Sequence, residues 1–156
     1  MGDVMLLELQ PLTDTNALAA LYRDPYIARV GHDHRSAYPI EHPAAHYMGA
    51  HVDGEFVGAF LIIESGFIET DVHALLTRRA LPNSRELGRM CLHYIFANPA
   101  IERITAYVIE GLTAARNYCL KLGFKSEGFR RAACAQNGVL LGIHTMGMTR
   151  NDWKGA

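Results

Sequence analysis

Glu69, Asp71 and His73 stand at alternating positions, and of the titratable side chains in this sequence they have the spacing best suited to chemistry. Residues two apart in a strand project from one face, which brings two carboxylates and an imidazole side by side. Neighbouring groups of that kind have their proton affinities pushed apart, so that one accepts a proton where another keeps its own. The bland alternative is the solvated face of a half-buried strand, with Ile68, Thr70, Val72 and Ala74 turned inward. A second cluster lies just downstream. The strand ends near Leu76, a loop runs through Thr77, Arg78, Arg79, Ala80, Leu81 and Pro82, and a helix starts about Asn83, Ser84 and Arg85. Backbone N–H groups at a helix start lack partners within the helix and bind anions, and three arginines add cationic donors shaped for phosphate oxygens.

His32, His34, His42, His46, His51 and His73 pose the question of a metal, because imidazole is a common zinc ligand. The spacing speaks against one: His32-Asp33-His34 is a loop pattern rather than a helical His-x-x-x-His pair, and no cysteine is near. Cys91, Cys119 and Cys134 are odd in number and form no Cys-x-x-Cys pair, so they read as buried, reduced thiols. With 15 basic against 16 acidic residues there is no basic field to attract nucleic acid or an anionic membrane. A chain of 156 residues, 49% hydrophobic and 20% charged, is expected to form one domain over residues 1–156. The start lacks a basic region followed by an apolar run, and no stretch approaches the roughly 20 apolar residues of a membrane-spanning helix, so a cytoplasmic protein is expected.

The elements that must position these groups follow from local signals. Met5 to Leu9 reads as a strand, and Leu12, Thr13 and Ala17 as staple, N-cap and packing partner of a helix running to Tyr22. Asp24 and Pro25 suit the cap and first position of a short second helix, after which Gly31 to His46 is a loop. Tyr47 to Val52 and Glu55 to Ile63 flank Asp53-Gly54, a two-residue hairpin signal, and Ser65-Gly66 turns the chain into a strand from Phe67 to Leu76. Asn83 and Glu86 form a capping box before Leu87, Met90, Cys91, Tyr94 and Ile95, which recur at helical spacing. Arg103 to Ile109 is a strand, and Leu112, Ala115, Cys119 and Leu122 mark a helix that Gly123 ends in a left-handed conformation. Phe124 to Ala133 and Val139 to Thr149 pair through Asn137-Gly138. This order predicts a mixed α/β sheet of about seven strands covered by about four helices.

The order, and the run Ala115-Arg116-Asn117-Tyr118-Cys119-Leu120-Lys121-Leu122-Gly123-Phe124 followed by Glu127-Gly128, resemble the GNAT superfamily of acyl-CoA N-acyltransferases, whose fourth helix ends in Lys-x-Gly-Phe. Glu127-Gly128 and the Arg150 to Trp153 run are similar to the branch of ribosomal-protein alanine acetyltransferases. The resemblance implies an enzyme moving an acetyl group from acetyl-CoA to a primary amine, either a small molecule or a protein N-terminus, by direct attack and without a metal. It puts the cofactor on Leu75, Leu76, Thr77, Arg78, Arg79, Asn83, Ser84, Arg85 and Arg116, with the phosphate loop starting at Arg79 and carrying Pro82 and Ser84 where the family has small residues. It offers Glu69 or Asp71, then His73, as the base, and sets Cys119 at the position of the family's acid tyrosine, with Tyr118 beside it. The histidine loop becomes one wall of an acceptor pocket, and a homodimer is a family-level expectation. Two alternatives stand beside this one: a GNAT-fold CoA-binding or assembly module with lost or weak catalysis, and an unrelated metal-dependent enzyme built on the histidine loop.

Overall fold

Apolar alternation and three tight turns assemble the sheet in the computed structural model, which describes residues 4–29 and 43–154. The strands are β1 (Leu7–Pro11), β2 (Ala45–Val52), β3 (Glu55–Glu64), β4 (Glu69–Leu76), β5 (Arg103–Ile109), β6 (Lys125–Gln136) and β7 (Val139–Thr149). The helices are α1 (Thr15–Arg23), α2 (Pro25–Ala28), α3 (Ser84–Phe96), α4 (Thr113–Leu122) and α5 (Arg150–Lys154), with a 3₁₀ turn over Arg78–Asn83. The expected hairpins form where Asp53-Gly54 and Asn137-Gly138 take positive φ, at 51° and 81° and at 52° and 77°. Most of the histidine loop, including His32, His34 and His42, lies outside the described residues, while Ala45 and His46 already belong to β2.

The sheet runs β1-β2-β3-β4-β5-β7-β6, antiparallel throughout except where β4 meets β5. That parallel junction is short. It pairs Glu69 with Arg103, Thr70 with Ile104 and Asp71 with Thr105 and then stops, although both strands continue. One face carries α1 and α2, whose Leu18, Leu21 and Ile27 pack with Tyr47, Leu61 and Leu75. The other face carries α3 and α4, whose Leu87, Cys91, Leu92, Cys119 and Leu122 pack on Phe60, Ile104, Met146 and Met148.

Several boundaries differ from the sequence reading for identifiable reasons. Asp14, not Thr13, caps α1, because its Oδ1 accepts from the N–H groups of Asn16 at 2.9 Å and Ala17 at 3.2 Å. The first strand is shifted to Leu7–Pro11, in register with Met48 to Val52. Phe67 is fully exposed in the turn before β4, where Ser65 and Gly66 donate their N–H groups to the Glu69 carbonyl. The loop expected from Thr77 to Pro82 is mostly the 3₁₀ turn, which feeds directly into α3, and Asn83 makes no side-chain cap bond, so the expected capping box with Glu86 does not form. β6 extends to Gln136 through register shifts on either side of Gly128 and Arg130, with Ala132 at φ 49°.

Sequence reading did not anticipate α5, which makes five α-helices among the described residues where about four were expected. Its logic is a reciprocal cap: Asp152 N–H donates to Thr149 Oγ1 at 3.1 Å and Thr149 N–H to Asp152 Oδ2 at 3.0 Å. Arg150 donates to the Ile101 carbonyl at 2.9 and 2.7 Å and to the Asn98 carbonyl at 2.8 Å, while Trp153 stacks on Phe96 with centroids 5.8 Å apart. Arg-x-Asp-Trp is thus a latch that fastens the end of the described chain to the α3–β5 connection.

Candidate active site

Where β4 and β5 part company, the sheet opens, and two cavities meet at the opening. The first, of about 370 Å³, passes between the strands: Val72, Ala74, Ala106 and Val108 line it toward α3 and α4, and His73, Tyr107 and Ile109 line it toward the other face. The second, of about 760 Å³, is a groove over the starts of α3 and α4, lined by Pro82, Asn83, Ser84, Arg85, Ala114 and Lys121 among others. Ala74, Ala115 and Tyr118 line both. Two alanines at the passage keep it open, and the tyrosine ring forms its remaining wall.

Tyr118 is held by close packing of α3 on α4. Its hydroxyl donates to the Ser84 carbonyl at 2.8 Å, and burial pushes its proton affinity well above that of an ordinary phenol. Gly88 makes this approach feasible, since a Cβ there would run into the Tyr118 hydroxyl and come within 2.9 Å of Leu122 Cδ1. Cys119 faces the first cavity only, and burial pushes its thiol up to about 11. Cys91 lines the same cavity from α3 and is likewise raised by burial. The helix behind them ends as expected at Gly123, φ 109°, where the Phe124 N–H reaches back to the Cys119 carbonyl at 3.0 Å.

The groove has the chemistry of an anion site. Arg29, Arg85, Arg89 and Lys121 all line it, and the first turn of α3 carries no side-chain cap. Of the residues expected to hold a cofactor, Leu76, Asn83, Ser84 and Arg85 line this groove, and Leu75 lines the cavity between the strands. The others are placed elsewhere. Thr77 donates its hydroxyl to the Val57 carbonyl at 2.8 Å. Arg78 lies 5.2 Å above the Tyr26 ring, on which Arg29 also stacks at 4.0 Å, so it borders the groove through Tyr26. Arg79 pairs with Glu55 on the β2–β3 hairpin, and Arg116 lines neither cavity. Arg89, Lys121 and Arg29 were not anticipated, although Arg85 and Arg89 are four apart on α3, as are Asn117 and Lys121 on α4, a spacing that puts each pair on one face.

The three titratable residues of β4 share a face, as their alternation requires, but they differ in setting. Glu69 is engaged: its Oε1 accepts from Thr105 Oγ1 at 2.8 Å and lies 3.4 Å from Arg103 Nε. Arg103 also grips Glu127 with its Nη2 at 2.5 Å, and that bond chiefly raises the guanidinium's proton affinity. Asp71 accepts from Ser65 Oγ at 3.1 Å, and its carboxyl is raised above the ordinary aspartate value by burial first and by Glu69 after it, against the lowering effects of Ser65 and Arg103. His73 alone of the three lines the cavity. Tyr107 on β5 faces the same region, its hydroxyl raised by burial and then by Asp71 and Glu69. All three are half-buried, so the strand is not simply a solvated edge, and Ala74, expected to face inward, is exposed because β5 has withdrawn from it.

Among the described residues no group of three or more His, Cys, Asp or Glu is placed to hold a metal ion, and no helix is long and apolar enough to cross a membrane. His46 meets the Tyr94 hydroxyl at 3.2 Å and His51 packs on Phe56 with ring centroids 5.6 Å apart, away from the opening.

A seven-stranded mixed sheet that splits between its fourth and fifth strands, with helices on both faces, is the GNAT acyl-CoA N-acyltransferase fold. The spermidine N-acetyltransferase of Vibrio cholerae, solved with CoA and spermine, is similar to this chain at TM-score 0.81 and 16% identity, covering 95% of this chain and 98% of its own. A chimera of that enzyme with hSSAT is similar at TM-score 0.82 and 15% identity, covering 96% and 99%. Both are described as spermidine N-acetyltransferases, and neither bears on the ribosomal-protein branch. No family model matches the chain, and no curated protein matches it in sequence.

Proposed function

We propose that this protein is an N-acetyltransferase that moves an acetyl group from acetyl-CoA to a primary amine. The observation that carries the reading is the meeting of a basic groove with an apolar cavity at the split between β4 and β5, beside a row of titratable groups. The donor supplies a thioester-activated acyl group. The groove suits its anionic end: Arg85, Arg89 and Lys121, with the uncapped first turn of α3, would hold phosphate oxygens, while Ala74 and Ala115 leave room for a narrow arm to pass. A fold neighbour solved with CoA supports a CoA thioester as the donor.

An ammonium must lose a proton before it is a nucleophile. Of the three β4 groups His73 lines the cavity, and Asp71 stands two residues before it with a raised proton affinity, so these two form the proton path on the face opposite α3 and α4. Glu69 is committed to Arg103 and Thr105 and acts as a positioning residue that holds the two strands at their junction. Tyr118 would orient the departing sulfur's surroundings rather than protonate it, since its hydroxyl is already donated to Ser84. The acceptor is a small-molecule amine in preference to a peptide N-terminus, in line with the polyamine enzymes that share the fold.

The test is release of free CoA thiol from acetyl-CoA across a panel of polyamines, amino-acid amines and peptides, alongside thermal shifts with CoA and acetyl-CoA. Stabilisation by both and thiol release with at least one amine are the expected results. A second reading, a CoA-binding module without chemistry, draws on the engaged Tyr118 hydroxyl and on Cys119 at the acid position. It would be favoured by stabilisation with CoA and no thiol release from any amine. No stabilisation by either nucleotide refutes both.

A further inference from the structure

The sheet face opposite α3 and α4 carries opposite charges at its two ends. Cross-strand partners project from one face, so the register carries that face from Asp71 to Thr105, along β5 to Tyr107 and Ile109, and through Ile143 on β7 to Arg130 on β6. Tyr107 and Arg130 both reach the cavity mouth beside His73. Arg130 is exposed and makes neither an ion pair nor a side-chain hydrogen bond among the described residues. The acids near it are engaged elsewhere: Glu127 and Glu69 hold Arg103, and the Glu110 carboxylate accepts the Gly142 N–H at 3.3 Å. β6 also sets this side chain apart, since it leaves its register before Gly128 and again after Arg130, where Ala132 takes φ 49°. The Tyr107 hydroxyl is kept protonated by burial and then by Asp71 and Glu69, while Arg130 stands close enough to pull the other way. A protonated phenol and a guanidinium are both donors, and they face the same opening.

We infer that the acceptor is an amine that also carries a carboxylate, an amino acid in the broad sense, held with its ammonium toward His73 and Asp71 and its carboxylate between the Tyr107 hydroxyl and the Arg130 guanidinium. This rests on the acetyl-transfer reading proposed above and narrows its small-molecule amine. The donor's arm keeps the passage between the strands, and the acceptor lies on the open face beyond it. The charges of the site then run in the same order as those of the ligand, carboxylates at the amine end and a planar fork of donors at the other. A diamine of equal length would set its second ammonium against Arg130, and like charges so placed are costly. By strand spacing the Arg130 Cα lies about 10 Å across the sheet and about 7 Å along it from that of Tyr107, a gap that two long side chains close to the width of a short ligand. In the transfer the amine nitrogen bonds to the acetyl carbonyl carbon, the carbon–sulfur bond breaks, and the proton lost by the ammonium is matched by one gained by the thiolate. The carboxylate only orients the amine.

Two matched sets of amines test this through kcat/KM for thiol release from acetyl-CoA: γ-aminobutanoate, butylamine and putrescine, which differ only in the far end, and L-leucine against L-leucinamide, which differ next to the amine. In at least one set the carboxylate form should exceed its uncharged counterpart by about tenfold to a hundredfold, the worth of a charge-assisted hydrogen bond, and putrescine should be the poorest of its set. In Arg130→Gln the ratio of carboxylate to uncharged amine should fall to near one, and in Arg130→Glu the first set should invert in favour of putrescine. Arg130→Lys, which keeps the charge and loses the fork, should fall between wild type and Arg130→Gln. Because the side chain is exposed and unpaired, these variants are expected to fold. Equal rates within both sets, a preference for putrescine, or a carboxylate preference that survives in Arg130→Gln overturns the subsite and leaves acetyl transfer standing. No thiol release from any amine overturns the acetyl-transfer reading and this inference with it.

Discussion

Gly88→Ala is a sharp test of how the site is held together. In an exposed helix this change removes backbone freedom from the unfolded chain and stabilises by about 1 kcal/mol. Here the new Cβ points into α4, meets the Tyr118 hydroxyl and comes within 2.9 Å of Leu122 Cδ1. Overpacking of that kind costs about 1–3 kcal/mol. Pushing the hydroxyl off the Ser84 carbonyl, now 2.8 Å away, adds about 1 kcal/mol. The sum, less the propensity gain, is a destabilisation of about 1–3 kcal/mol, or a fall in Tm of about 3–10 °C for a domain of this size. Thermal denaturation of Gly88→Ala, Tyr118→Phe and the double variant measures it. Because phenylalanine lacks the oxygen that the new Cβ meets, the double variant should lose less than the sum of the singles by about 1 kcal/mol. An increase in the Tm of Gly88→Ala, or strict additivity, would refute the packing argument and with it Tyr118 as a fixed wall of the passage.

Asp71→Asn is expected to lower acyltransfer strongly while leaving stability at neutral pH equal to wild type or above it. A carboxyl whose folded-state proton affinity is raised contributes stability below its unfolded value of 3.8 and loses it as pH rises through the folded value, so the stability gap between variant and wild type should close in acid, as Tm against pH will record. Arg103→Ala strips the partner from Glu69 and Glu127 at the β4–β5 junction and should cost about 1–2 kcal/mol in urea denaturation, more than an exposed ion pair. Arg85→Ala and Lys121→Ala should each raise the KM for acetyl-CoA by about tenfold with little change in kcat, because removing a phosphate contact weakens ground state and transition state alike. An unchanged KM in both would move the anion site out of the groove.

Much of the fold was legible because its punctuation is local. Asp53-Gly54, Asn137-Gly138 and Gly123 need positive φ whatever surrounds them, and they placed two hairpins and the end of α4. Asp14 outcompeting Thr13 as a cap, and the 3₁₀ turn replacing an open loop before α3, depend on how the chain enters the helix, which composition does not encode. The site was half legible. Alternation placed Glu69, Asp71 and His73 on one face, but only the register of β4 against β5 separates a glutamate locked to Arg103 from a histidine open to the cavity. Arg79 looked like a phosphate ligand beside Arg78, and the neighbouring β2–β3 hairpin claimed it through Glu55. Lys121 had the opposite fate: read only as part of a family signature, it lies on the groove wall.

The three rungs that join β4 to β5 also say something about how the molecule comes apart. The strands before this seam form one antiparallel meander, and those after it pair among themselves, so each half-sheet satisfies most of its backbone hydrogen bonds without the other. Beyond Asp71 and Thr105 the seam has no backbone pairing, and the two blocks are joined there by the helices that cross it. Amide hydrogen exchange should therefore find two cooperative units of unequal protection, with the cheapest opening along the seam. A ligand that spans the seam is then a cross-brace, and each tenfold rise in its free concentration above Kd adds about 1.4 kcal/mol to the opening free energy. On the proposed function, the resistance of this protein to unfolding therefore rises with the concentration of its donor.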